Sequence, residues 1–270
     1  MTNPEPAYPR ARKRFGQHYL EPAWVARLVD LLRPAPDDVF VEIGPGRGAL
    51  TLALAPRVGQ IVAVEIDRDV AAALSSRLPA NVSLVVGDIL GVSVDALLRD
   101  RPAPVRVVGN LPYNISSPIL FRLLGAAGEG RRIRDATLML QREVADRLLA
   151  RPGTKAYGTL AIQTQWLADV ERLLTLPPGA FRPPPKVTSS VVRLSFRAPS
   201  VDVGSPAAFE RLVRGMFQHR RKTVLNALRP VAVSFGRPLE QVLDAAGITH
   251  SRRPETLTIE EIARLSQAVL

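Results

Sequence analysis

"VFVEIGPGRGALTLALA", Val39 to Ala55, decides the fold. Five apolar-rich residues run straight into three alternating glycines, Gly44, Gly46 and Gly48, and then into "TLALA", a good helix former. A buried strand that turns sharply on glycine into a helix is the first half of a βαβ unit. Working outward, the same alternation recurs. "IVAVEID" (61–67), "VSLVVGD" (82–88), "VRVVGN" (105–110) and "ATLMLQ" (136–141) read as further strands. Helices are expected at 22–33 with Pro22 at the start, at 69–77, from Ser117 to about Leu124, and in "REVADRLLA". Near-continuous apolar strands alternating with helices predict a parallel sheet covered on both faces, an α/β fold.

After "LAIQTQWLA" (160–168), read as helix, the pattern changes. "VERLLTL" (170–176) and "VVRLSFR" (191–197) flank the proline-dense "PPGAFRPPPKVTSS", which fits an antiparallel pair at the sheet edge. From about 205 the chain reads as wholly helical: 206–217, 220–229, 238–245 and 258–268. The expected domains are therefore 1–200 and 201–270.

The bulk composition narrows the function. The 270 residues carry 36 basic and 25 acidic side chains, net +11. All but four of the basic residues (Lys13, Lys155, Lys186, Lys222) are arginine. That excess favours an anionic partner, nucleic acid first. The absence of cysteine excludes disulfides and thiol catalysis. Three scattered histidines suggest no metal site. No apolar run approaches membrane-spanning length, and the N-terminus lacks an apolar signal core. A cytoplasmic, soluble protein is the expectation.

The glycine turn does not follow the G-x-G-x-x-G spacing of a dinucleotide site, and no Walker lysine follows it. Glu42, just before the turn, would sit badly beside a polyphosphate. The second strand ends in Glu65, with Asp67 behind it, where a carboxylate can take both ribose hydroxyls. The third ends in Asp88, in the layer of an adenine's exocyclic amine. Each acid alone also reads as a solvated strand end. Together, at successive strand ends, they describe an adenosine-containing ligand without phosphates, and S-adenosylmethionine fits.

At the same edge the fourth strand ends in "GNLPY", Gly109 to Tyr113. Asn110 offers a side-chain acceptor and Leu111 a backbone carbonyl, stiffened by Pro112. Tyr113 offers a stacking face. Two acceptors on the hydrogens of an adenine N6 would aim its lone pair at a methyl sulfonium, so positioning would carry the rate. The alternative is a plain turn before a Ser-Pro-capped helix. Phe181 alone reads as core; beside the pocket it becomes a candidate clamp on a flipped base, with Lys186 on phosphate.

"RFGQHYL" (14–20), "VEIGPGRGALT" (41–51), "GNLPYNISSPIL" (109–120), "FRPPPKVTSSVVRL" (181–194) and "FQHRRKTVLNAL" (217–228) together resemble the small-subunit rRNA adenine dimethyltransferases of the KsgA/RsmA type. The resemblance spans nearly the whole chain. It implies a Rossmann-like class I methyltransferase domain with a small all-helical C-terminal domain. It implies transfer of methyl groups from S-adenosylmethionine to N6 of two adjacent adenines in the 3′-terminal hairpin loop of 16S rRNA, within immature 30S subunits, by a monomer without an obligate protein partner. By the same resemblance Gln17, His18 and Leu20 lie against the cofactor, with Glu42, Gly44 and Gly46 at its methionine end. Glu65 takes the ribose, Ile66 packs on the adenine, Asp88 meets its amine, and Ile89 belongs with them in the cofactor set. Asn110, which also borders the cofactor, Leu111 and Tyr113 receive the target base and Phe181 closes over it. Tyr19 stands where phenylalanine is common, and Thr188–Ser189 where the family has Asp-Ser. The clusters Arg10, Arg12, Lys13, Arg14 and Arg220, Arg221, Lys222 would contact rRNA phosphates, the second on the first turns of a helix, where cations oppose the dipole. A large-subunit rRNA adenine methyltransferase and a non-catalytic assembly or transcription factor are the alternatives.

Overall fold

The computed structural model describes residues 17–98, 101, 104–128, 132–232 and 236–269. The elements in chain order are β1 (Tyr19–Leu20), α1 (Pro22–Leu32), β2 (Val39–Ile43), α2 (Ala49–Leu54), β3 (Gln60–Glu65), α3 (Arg68–Ser75), β4 (Val82–Val86), α4 (Val94–Leu98), β5 (Val105–Asn110) and α5 (Ser116–Gly128). There follow β6 (Ile133–Gln141), α6 (Arg142–Leu148), α7 (Thr159–Leu167), β7 (Ala168–Leu176), β8 (Phe181–Arg182), β9 (Ser189–Phe196), α8 (Pro206–Gln218), α9 (Val224–Leu228), α10 (Leu239–Ala245) and α11 (Ile259–Val269).

The strand order is β4-β3-β2-β5-β6-β9-β7. The five strands from β4 to β6 pair in parallel, and β9 runs antiparallel to β6. This is the Rossmann-like class I arrangement expected from the alternation. Every residue of β2 is buried, Glu42 included, because helices cover both faces of the central strands. Helix α1 begins on Pro22 and buries Val25, Leu28, Val29 and Leu32, the i, i+3, i+4, i+7 stripe of an amphipathic helix. Against it stand Phe40, Leu54 and Ile61 in one apolar cluster. At the edge where β2 begins, Arg106 bridges Asp38 (2.9 Å) and Asp135 (3.0 Å), with its guanidinium over the Phe40 ring. Desolvation pushes the Asp38 pKa up, but the Ala35 N–H and the Arg106 guanidinium outweigh it, and the carboxyl titrates below its ordinary value.

The chain divides into two compact units, and the division departs from the expected cut at residue 200. One unit comprises the described residues up to Ala145 together with Asp169–Phe196; the other comprises Asp146–Ala168 and Arg197 onward. Helix α7, expected to belong with the sheet, thus joins the helical unit. Tyr157, Ile162 and Trp166 enter that unit's core with Phe209, Met216 and Leu243. Six of the nine residues of α7 are buried. A helix with no exposed residue, polar Gln163 and Thr164 buried among the rest, has no solvent face to betray which core it fills. Within the helical unit, Ser205 caps α8, accepting the Ala208 N–H, and Pro206 follows it.

Candidate active site

Strand β2 lies between β3 and β5, so the chain leaves β2 toward one side of the sheet and returns on the other. This reversal opens a crevice at the C-terminal strand ends, where ligands of open α/β sheets collect. The turn after β2 is built for it. Gly44, Gly46 and Gly48 all have positive φ, at 71°, 55° and 80°. A Cβ on Gly46 would stand 2.8 Å from the Tyr19 ring, and one on Gly48 would stand 2.4 Å from the Leu74 side chain. The turn therefore lets β1 lie close over it while α2 packs toward α3.

Gln17, His18, Leu20, Glu42, Gly44, Gly46, Glu65, Ile66, Asp88, Ile89 and Asn110 all line one cavity at this point, about 970 Å3 with the solvent at its mouth included. These are the residues the sequence assigned to the cofactor, and the fold brings every one of them together. Their states differ. Glu65 is buried and already committed in part: one carboxylate oxygen accepts the Gly46 N–H (3.0 Å) and the other the Asp67 N–H (2.9 Å). It locks the glycine turn to the end of β3 as well as lining the cavity. Burial pushes its pKa up, against the pull of those backbone donors. Glu42 accepts the Thr51 hydroxyl at 2.7 Å, and burial pushes its pKa up to about 7. Asp88 is exposed and accepts the Leu90 N–H, which shapes its turn. Ile66 is 41 % exposed at the cavity although apolar, a surface that a flat base can cover.

Two features escaped the sequence. Gln17 donates to Asp67 (3.1 Å), the N-cap of α3, and the Arg47 guanidinium stands 4.6 Å from the centre of the Tyr19 ring. Both hold residues 17–20 across the turn. No spacing rule could pair positions fifty residues apart, and Tyr19 read only as an aromatic replacement.

At the β5 end, the Asn110 side-chain Nδ2 donates to the His18 carbonyl at 2.6 Å. That bond fixes the orientation of the amide and turns its oxygen into the available acceptor. The Leu111 side chain is buried and its N–H donates to the Met139 carbonyl. The Tyr113 hydroxyl pairs with the Ser189 Oγ at 2.6 Å, and burial pushes the phenol pKa up.

Three expectations need correction or fall away. Phe181 does not close over a base: its side chain has no exposed surface and packs with the α1 cluster. In the two-residue strand β8, paired with β1, alternation turns Phe181 inward and Arg182 outward. Arg220, Arg221 and Lys222 do not open a helix; they occupy the turn between α8 and α9, and Thr223 caps α9. There they follow the C-terminus of α8, so the dipole favours them. Arg221 and Lys222 are exposed, as is Lys186, while Arg220 donates to the Thr154 carbonyl. Arg10, Arg12, Lys13 and Arg14 lie outside the described residues.

The donor set suits a nucleoside without a polyphosphate. Buried carboxyls flank the glycine turn, no lysine among the described residues lines the cavity, and an apolar side chain lies uncovered at its edge. A family model described as "Ribosomal RNA adenine dimethylase" matches residues 9–268. The chain belongs to this family. Among its relatives within the rRNA adenine dimethylases, "Ribosomal RNA small subunit methyltransferase A" of Nitrosococcus oceani is 44 % identical, over 96 % of each chain. The protein of the same description from Geobacter metallireducens is 43 % identical, over 97 % of this chain and 96 % of its own. A dimethyladenosine transferase from Plasmodium falciparum shares the fold, with TM-score 0.79 at 24 % identity over 92 % and 96 % of the two chains. The 23S rRNA methyltransferase ErmE follows at 0.66 and 28 %, over 93 % and 99 %. Family and fold make this rRNA adenine dimethylase an S-adenosylmethionine-dependent methyltransferase.

Proposed function

We propose that this dimethylase acts in the cytoplasm on N6 of two adjacent adenines in the 3′-terminal hairpin loop of 16S rRNA, within immature small subunits, and brings each to the dimethyl state. The small-subunit descriptions of its relatives support the substrate. The observation that carries the chemistry is the Asn110 amide, whose Nδ2 is held by the His18 carbonyl so that Oδ1 remains to accept.

Bound S-adenosylmethionine supplies an electrophilic methyl group. The chain's part is to hold the adenine. In the first transfer Asn110 Oδ1 and the Leu111 carbonyl each accept one N6 hydrogen, and in the second one of them accepts the single hydrogen that remains; this favours the developing sp3 nitrogen and points its lone pair into the cavity. The amine is neutral, so no side chain need remove a proton before attack; the N6 proton leaves to solvent afterwards. Tyr113 provides the stacking surface for a base drawn out of its loop. Glu65, Ile66 and Asp88 hold the nucleoside of the donor. Lys186 and the Arg220–Lys222 turn take rRNA phosphates, which position the RNA without reading sequence.

The test is direct. Enzyme is incubated with labelled S-adenosylmethionine and under-methylated 30S particles, and the digested nucleosides are identified by mass. N6,N6-dimethyladenosine at two adjacent sites of the 3′-terminal hairpin supports the reading. Label in large-subunit RNA instead would move the substrate to that of the ErmE-like relatives. Tight binding of particles and cofactor without transfer would make the chain an assembly factor.

A further inference from the structure

Among the described residues, His18 touches both Asn110, through its backbone carbonyl, and Tyr113, through its ring, and the chemistry above gives that ring no part. His18 lies just before β1. The register Tyr19↔Arg182 sets it beside Pro183. Its ring Nδ1 is 2.7 Å from the Pro183 carbonyl oxygen. A carbonyl can only accept, so Nδ1 carries the hydrogen and His18 is the donor. Its ring stacks on Tyr113, centroids 5.8 Å apart and planes at 22°. Its own carbonyl accepts the Asn110 amide. The circuit closes through the same loop, because the Tyr113 hydroxyl pairs with Ser189, a few residues beyond Pro183.

We propose that His18 is a positioning residue for the target base: through its Nδ1–H bond to Pro183 it clasps the segments 18–20, 110–113 and 183–189 together, and so presets the Asn110 amide and the Tyr113 ring before RNA arrives. The inference rests on the base-binding roles just proposed for Asn110 and Tyr113.

Three physical points carry it. First, the segments are far apart in sequence and each side chain of the clasp is flexible alone; joining them removes that freedom in advance of binding. Second, the ring is held at Nδ1 and its backbone is held by Asn110, so it forms a fixed wall and not a mobile stand-in for the base. Third, one face of Tyr113 is partly covered by His18, which directs an incoming adenine to the other face. His18 also lines the cofactor cavity, whereas Tyr113 does not. It is therefore the shared wall between the two binding places. An amide that drifts by about an ångström can cost a hundredfold in rate, so the clasp acts on the transfer step.

The experiment separates this from a cofactor role and from mere shape. His18→Leu removes the donor. His18→Asn keeps one, since asparagine Nδ2 occupies nearly the place of histidine Nδ1. Single-turnover transfer is measured with saturating cofactor and under-methylated small-subunit particles, and cofactor affinity is measured separately by calorimetry. Expected are a fall in rate of about tenfold or more for His18→Leu, recovery of most of it in His18→Asn, and cofactor affinities within about threefold of wild type. Ser189→Ala, which frees the other end of the clasp, lowers the rate in the same direction but less. Equal loss in the two His18 variants overturns the proposal, with or without lost cofactor affinity, and so does no loss in either. A faster His18→Leu enzyme also overturns it, by making the imidazole a competitor for the place of the base. Independently of RNA, 15N NMR of the imidazoles, with His18 assigned by the signal missing from His18→Asn, reports the tautomer. An Nε2–H tautomer at His18 overturns the clasp whatever the substrate. If wild-type enzyme labels no small-subunit adenine, the substrate reading falls and the tautomer measurement still decides the clasp.

Discussion

At the scale of single residues, Asn110 and Glu42 show two different relations between a side chain and the rate. Asn110 borders the cofactor cavity, but the contact proposed for its Oδ1 is to the target amine. Asn110→Ala should therefore lower kcat by about a hundredfold, the typical worth of one oriented acceptor or donor, while cofactor affinity changes little. Stopped-flow transfer alongside calorimetry checks this, and parallel losses would reassign the residue to the cofactor. Glu42 acts on stability through its proton. Burial raises its pKa from 4.5 in the unfolded chain to about 7, so the folded state keeps a proton that the unfolded state gives up. Its contribution is complete below pH 4.5 and is lost as pH rises through 7, up to about 3 kcal/mol. Glu42→Gln, neutral at every pH and still able to accept from Thr51, should flatten that part of the stability profile between pH 5 and 8. Urea midpoints at the two pH values measure it; an unchanged slope in the variant would show that Glu42 stays ionised. Asn110 was legible because a polar residue at a strand end, before Leu-Pro-Tyr, is odd for a core strand. The protonation of Glu42 was not, since it depends on what the fold packs around it.

Among elements, the glycine turn and the β1–β8 pair lie at opposite ends of legibility. The turn announces itself: glycine at three alternate positions between an apolar strand and a helix answers a need for positive φ. Gly48→Ala meets both the φ of 80° and the Leu74 side chain 2.4 Å from the new Cβ. It should destabilise the protein by about 1–3 kcal/mol, seen as a lower thermal midpoint, and weaken cofactor binding as α2 shifts. A midpoint within error of wild type would mean that α2 and α3 adjust freely. The β1–β8 pair has only two residues a side. That is too short for any alternation to be read, and so Phe181 could be taken for a clamp when it is a core residue. The turn at Arg220–Lys222 was also misplaced. Read from sequence, the helix breaks at 218–219 and restarts at 220, whereas the structure carries α8 to Gln218 and starts α9 only after the capping Thr223.

For the whole molecule, the consequence of the excursion 146–168 can be measured. A cut at residue 200 follows the change in pattern, yet it would strip Tyr157, Ile162 and Trp166 from the helical core. Trp166 alone packs on Phe209 at 5.1 Å between ring centroids and donates to the Val201 carbonyl. A fragment 201–270 should therefore lack a cooperative thermal transition and show poor amide dispersion by NMR. A sharp transition in that fragment would mean that α8 to α11 form a sufficient core without α7.

The sequence by itself determined the strand–helix alternation, the glycine turn, the acids at two successive strand ends and the asparagine motif. Each of these is local, set by periodicity, by a φ that only glycine tolerates or by the residue that ends a strand. Tertiary structure alone decided which core takes α7, that Phe181 turns inward, that Glu65 is tied to backbone donors, and that His18, Asn110, Tyr113 and Ser189 meet. Those facts depend on contacts between segments up to 165 residues apart. Nothing in a side chain's own neighbourhood along the chain specifies such a contact; it exists only once the sheet has set its strand order and register.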